Sequence, residues 1–143
     1  MADLFSTEPV LSKKGELNPT EALKDAKVIC VYFSMHNCPP CREFTPLFVE
    51  LYNEFNADQK QFEVVFVSGD KTQEEFDLYY GEMPWLALPR QDKRLADLAK
   101  KFSVRGVPRL VVLKNDGTVI NDNAVQKVTN EGPGAIEEFL AAA

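Results

Sequence analysis

Between an apolar run at Val28–Phe33 and an apolar stripe from Phe44 to Phe55, the sequence places Cys38-Pro39-Pro40-Cys41. The order of those three pieces constrains the fold more than any other feature of the chain. Val28-Ile29-Cys30-Val31-Tyr32-Phe33 is β-branched and aromatic with almost no polar break, the pattern of a central strand covered on both faces. Phe44, Leu47, Phe48, Leu51, Tyr52 and Phe55 recur at spacings of three and four, which marks the inner face of an amphipathic helix. A buried strand, a loop over Ser34 to Asn37 and a helix therefore follow one another. The cysteine pair falls at the helix start.

The rest of the chain repeats this alternation. Phe62-Glu63-Val64-Val65-Phe66-Val67 reads as a second buried strand, and Arg109-Leu110-Val111-Val112-Leu113 as a third. Helices are expected over about Gln73–Tyr80 and Lys93–Phe102, with a last one over roughly Gly134–Leu140. Asn115-Asp116-Gly117 is a hairpin turn signal leading into Thr118-Val119-Ile120. Asn18-Pro19-Thr20-Glu21 starts a short helix ending near Asp25, with Asn18 as cap, Pro19 at the first helical position and Glu21 where a capping box places its acid. Strands alternating with helices imply an α/β fold, a central mixed but mostly parallel sheet covered on both faces, with an antiparallel hairpin at one edge. The length of 143 residues fits one domain, 1–143, with its core over about 25–120 and an N-terminal extension over 1–24.

Charge and composition narrow the function. With 22 acidic against 16 basic side chains and a net charge of −6, the chain is a poor binder of nucleic-acid phosphates, which call for concentrated Lys and Arg. Its longest apolar run is far too short to span a bilayer. The start, Met1-Ala2-Asp3-Leu4-Phe5, lacks the basic-then-apolar order of a secretory signal. These features point to a cytoplasmic setting, with the nucleus also open, and to reducing conditions. Three cysteines are an odd number, which argues against a secreted disulfide framework and towards redox or metal chemistry.

The helix start decides which cysteine reacts. With Cys38 as N-cap, Pro39 and Pro40 fill the first two helical positions and offer no N–H. The first free donors are then Cys41 and Arg42. A thiolate at Cys38 gains one of those hydrogen bonds, the positive end of the helix dipole and a nearby cation, Arg42. Each favours the charged form and lowers the thiol from its ordinary pKa of about 8.5. Cys41, inside the first turn, is more shielded and suited to attack a mixed disulfide on Cys38. A structural zinc site would need two further ligands. Cys30 and His36 are the only candidates, one mid-strand and the other too close to Cys38. Cys30 reads as a core residue, His36 as a solvated loop histidine, Trp85 as a packing anchor, and Arg42, Arg105 and Arg109 as scattered solvated charges.

Cys38-Pro39-Pro40-Cys41, preceded by Val31-Tyr32-Phe33-Ser34, resembles the tryparedoxin and nucleoredoxin branch of the thioredoxin superfamily. Pro46, five residues after Cys41, matches that family's helix proline. Ser68-Gly69-Asp70, Met83-Pro84-Trp85-Leu86-Ala87-Leu88-Pro89 and Gly106-Val107-Pro108 are similar to further segments in the same order. The resemblance implies a thioredoxin fold and a thiol–disulfide oxidoreductase that reduces protein disulfides, with Cys38 attacking and Cys41 resolving. It also implies a cis bond before Pro108 and a Val107 backbone that pairs with an extended substrate segment. Asn37, Pro39 and Pro40 would border that segment. The chemistry needs no organic cofactor and no metal. The oxidised form would be re-reduced by an upstream reductase or a low-molecular-weight thiol, and the protein would act as a monomer. A redox-sensitive binding module with little turnover is the rival reading. The sequence departs from the family in three places: Asn37 stands where Trp is usual, Tyr32 stands where many thioredoxins bury an acid, and Asn121-Asp122-Asn123-Ala124 lacks the Arg and Gly expected after the hairpin.

Overall fold

The computed structural model describes residues 2–143. Its organising element is the strand β3, Val28–Ser34, in which all seven residues are buried. Successive side chains on a strand point to opposite faces, so β3 supplies two cores at once. Val28, Cys30 and Tyr32 face one core, with Phe48 and Leu51 from the helix α3, Pro39–Phe55, and Phe76 and Tyr79 from the helix α4, Gln73–Tyr80. Ile29, Val31 and Phe33 face the other, with Leu23 from the short helix α2, Pro19–Leu23, and Leu98 from α5, Lys93–Lys101. Phe5 closes this second core from α1, Ala2–Phe5.

Around β3 the sheet runs in the order β2-β1-β5-β4-β3-β6-β7. The strands are β1 Val10–Ser12, β2 Gly15–Leu17, β4 Phe62–Ser68, β5 Leu86–Ala87, β6 Arg109–Lys114 and β7 Val119–Asn121. Two helices, α6 Val125–Glu131 and α7 Pro133–Ala142, complete the chain. β4 lies parallel to β3 with Val28 opposite Phe62 and Ser34 opposite Ser68, and β5 lies parallel to β4. The remaining pairings, β1 with β2 and β5, and β6 with β3 and β7, are antiparallel. The sheet is thus mixed, as expected, but four of its six pairings are antiparallel where a mostly parallel sheet was expected. A buried strand reads as an apolar run whichever way it points, so sequence pattern carries no information on the direction of β6.

Beyond the burial of Phe5, one side chain gathers several carbonyls of the N-terminal segment. Arg94 of α5 is 4% exposed. Its guanidinium donates to the carbonyls of Phe5 at 2.6 Å, Glu8 at 2.8 Å and Pro9 at 2.8 Å. The fork also pairs with both carboxylate oxygens of Asp92 at 2.9 Å. Asp92 caps α5 by accepting the Arg94 N–H, and the Arg94 hydrogen bonds hold its carboxyl below the usual range. Residues 10–17 then form a hairpin that joins the main sheet through Leu11 and Ala87.

Most other boundaries follow local chemistry. Asn18 caps α2 by accepting from the Thr20 and Glu21 amides. Glu21 turns to Lys24 at 2.9 Å. Gly117 adopts φ +97° in the turn between β6 and β7, a conformation glycine enters without strain.

Candidate active site

β3 delivers the chain to one end of the sheet, and α3 begins after four intervening residues. Cys38 is the N-cap of α3, with extended backbone at φ −143° and ψ 102°. Pro39 and Pro40 occupy the first helical positions. The Cys41 N–H donates to Cys38 Sγ at 3.3 Å, and the Arg42 N–H to the Cys38 carbonyl at 3.0 Å. The two cysteines are joined as a disulfide, with Cα atoms 5.2 Å apart. Cys38 keeps 8% of its surface exposed and Cys41 none. Of the two cysteines, only Cys38 is open to solvent.

Cys38 borders an open hollow of about 430 Å³ lined by His36, Asn37, Pro39 and Arg42. Across from it, the Val107–Pro108 peptide bond is cis, and the Val107 carbonyl lies 3.9 Å from Cys38 Sγ. Pro108 and Pro40 both line a second groove of about 230 Å³, between α3 and α6, with Phe44, Leu47 and Val125. The fold thus gathers Asn37, Cys38, Pro39, Pro40, Cys41, Val107 and Pro108 at one end of the sheet.

The segment after β4, Ser68-Gly69-Asp70, also holds the loop before Cys38, a role that its motif match did not reveal. Asp70, 7% exposed, accepts the His36 N–H at 2.6 Å and the Ser68 hydroxyl at 2.8 Å. The Asn37 side-chain amide donates to Glu75 of α4. The edge of the His36 ring packs on Tyr79, centroids 5.9 Å apart. His36 is thus held in place rather than solvated. His36 Nε2 lies 3.1 Å from the Arg42 guanidinium, which can only donate. Nδ1 is buried without a partner among the described residues. The available signal was the four-residue spacing of Glu75 and Tyr79, which puts both on one face of α4.

Beneath Cys41 lies a cluster of hydroxyls. Thr45 Oγ1 donates to the Cys41 carbonyl at 2.9 Å, and the hydroxyls of Tyr32 and Tyr79 each lie 2.7 Å from it. Burial, with Tyr79 alongside, pushes the Tyr32 phenol well above its ordinary range. Tyr32 is therefore no acid–base substitute for the missing carboxyl. Cys30 lies in the core, where burial and then the Glu63 carboxylate raise its thiol well above the ordinary value. Trp85 is a packing anchor, 1% exposed against Phe48 and Tyr52. Arg109 is engaged rather than solvated, donating to the carbonyls of Asp122 at 2.7 Å and Phe102 at 3.2 Å. Among the described residues, no three His, Cys, Asp or Glu side chains cluster as metal ligands would.

A family model described as Thioredoxin-like matches residues 25–119. The chain belongs to the thioredoxin-like family. Among its thioredoxin-like relatives, probable nucleoredoxin 1 of Arabidopsis thaliana is 48% identical over 109 residues, which cover 76% of this chain but 19% of that protein. Tryparedoxin of Trypanosoma brucei brucei is 40% identical over 128 residues, 88% of this chain and 87% of that one. The chain therefore spans about a fifth of the nucleoredoxin and most of the tryparedoxin. A solved structure of tryparedoxin II complexed with glutathionylspermidine superimposes with a TM-score of 0.81 at 34% identity, covering 93% of this chain and 92% of that one. These likenesses put the chain in the tryparedoxin and nucleoredoxin branch of thioredoxin-like oxidoreductases.

Proposed function

We propose that the chain reduces protein disulfides by dithiol exchange through Cys38 and Cys41. The observation that carries this reading is Cys38, the one cysteine of the pair that keeps any surface, at the start of α3 with its sulfur accepting the Cys41 N–H at 3.3 Å. The same contact that caps the helix stabilises a thiolate there. In the forward reaction the Cys38 thiolate attacks one sulfur of the substrate disulfide. That bond breaks, a mixed disulfide forms on Cys38, and one substrate thiolate departs. Cys41 gives its proton to solvent or to the departing thiolate, then attacks Cys38 Sγ. The second substrate thiolate leaves and the Cys38–Cys41 disulfide closes. The substrate gains two electrons and the protein loses them.

Val107 and Pro108 face the nucleophile and are proposed to hold the substrate segment by backbone pairing, while Asn37, Pro39 and Pro40 border it. An upstream reductase or a low-molecular-weight thiol restores the dithiol. The thiol route is favoured by the likeness to a tryparedoxin complexed with glutathionylspermidine. We place this activity in the cytoplasm or nucleus, where the regenerating thiols are held reduced.

The test is a pair of serine variants offered a disulfide-bonded protein. Cys38→Ser should abolish turnover, and Cys41→Ser should accumulate a mixed disulfide on Cys38. Trapping on Cys41 in the Cys38→Ser protein would reverse the roles. Turnover by either variant at the unmodified rate would remove the dithiol mechanism.

A further inference from the structure

The hydroxyls under Cys41 have one proton each, and the shorter contact to its carbonyl, from Thr45 Oγ1 at 2.9 Å against 3.4 Å from Tyr79 Oη, selects an arrangement in which none is wasted. Thr45 Oγ1 gives its proton to the Cys41 carbonyl, so it must accept from both Tyr32 and Tyr79. Tyr79, having donated to Thr45, accepts from Ser34 Oγ at 2.6 Å. The chain therefore runs in one direction, Ser34 to Tyr79 to Thr45 to the Cys41 carbonyl. Tyr79 Oη itself lies 3.4 Å from that carbonyl. Ser34 and Thr45 are nearly solvent-free, as are both tyrosines.

This chain matters most at one moment of the exchange. In the disulfide form seen here the neutral Cys38 Sγ accepts the Cys41 amide at 3.3 Å, and a Cys38 thiolate would accept it more strongly. Once Cys38 carries a substrate sulfur it is neutral and a weaker acceptor. Pro39 and Pro40 have no amide to add, so the first turn of α3 then depends on its inner side, where Thr45, itself held by Tyr79, donates to the Cys41 carbonyl. We propose that Tyr79 and Thr45 are positioning residues for resolution: their linked hydroxyls keep Cys41 beside Cys38 while the mixed disulfide exists. The proposal rests on the reading of Cys38 as attacker and Cys41 as resolver.

The experiment mixes the reduced protein, in excess, with 5,5′-dithiobis(2-nitrobenzoate). Attack by Cys38 breaks the probe's disulfide and releases one thionitrobenzoate. Attack by Cys41 on Cys38 Sγ, its proton passing to solvent, releases the second in a phase independent of protein concentration. Each release is read at its own rate. Tyr79→Phe keeps the ring against His36 and removes only the hydroxyl, and Thr45→Val removes the next link. Each should slow the second phase about five- to tenfold, as expected for one buried neutral hydrogen bond, with the first phase changed by less than about twofold. Because both variants cut one chain, the double variant should be no slower than Thr45→Val alone. Should Thr45→Val fail to fold, Tyr79→Phe carries the test by itself. A second phase within about twofold of the unmodified protein, equal slowing of both phases, or additive losses would overturn the assignment. If the unmodified protein released no second thionitrobenzoate, the dithiol reading would fall, and this one with it.

Discussion

Replacing Arg94 by methionine keeps an unbranched stem of similar length in α5 and deletes the charged fork. In the folded protein this strands the Asp92 carboxylate, whose side chain is 11% exposed, and leaves the carbonyls of Phe5, Glu8 and Pro9 without their shared donor. Breaking a buried pair by removing one partner typically costs about 3–5 kcal/mol. Against a total stability of about 5–15 kcal/mol for a domain of this kind, that is a large share. The assay is urea unfolding of both proteins, paired with hydrogen exchange on the hairpin at residues 10–17. The variant should lose about 3–5 kcal/mol, with the hairpin amides deprotected first. The pH dependence has a definite sign. The Asp92 carboxyl is lowered in the folded state, chiefly by its Arg94 hydrogen bond. Its contribution is therefore present above the unfolded carboxylate pKa and disappears as pH falls through the lower folded one. The gap between the two proteins should narrow in acid. A loss below about 1 kcal/mol, or a gap that widens on acidification, would refute the account of Arg94 as the clamp on residues 5–9.

Two further substitutions probe the site and the core. Asn37→Trp replaces an exposed amide tied to Glu75 with an apolar surface beside Cys38. It should raise turnover of a protein disulfide by about fivefold, equivalent to roughly 1 kcal/mol of aromatic contact, and unchanged or slower turnover would discredit that role. Phe48→Ala empties a fully buried position packed on Trp85, Tyr32 and Phe62. Denaturant unfolding should show a loss of about 3–5 kcal/mol, with the thiol chemistry of any folded protein retained.

Much of this structure was legible in the sequence because the signals were local. The run at Val28–Phe33 could only be a strand covered on both faces, and it is buried throughout. The two prolines after Cys38 fixed the helix start, and the observed cap has the geometry that argument requires. What escaped were features made by contacts between distant residues. Leu86 and Ala87 form a two-residue strand between two prolines, too short to carry a period. Residues 10–17 are a hairpin with an exposed outer strand, so no apolar alternation announced it. Arg94 sits in a charged stretch, and only the fold reveals that it is buried under the N-terminal segment. The hold of Asp70, Glu75 and Tyr79 on the cysteine loop depends on β4 lying beside β3, which a motif search along the chain does not see.

The most direct measurement is the rate of Cys38 alkylation by iodoacetamide across pH on the reduced protein. If the start of α3 stabilises the sulfur anion, the rate will reach half its plateau well below the ordinary thiol value of about 8.5. A midpoint at that ordinary value, or a Cys38 that resists alkylation in the folded state, would contradict it.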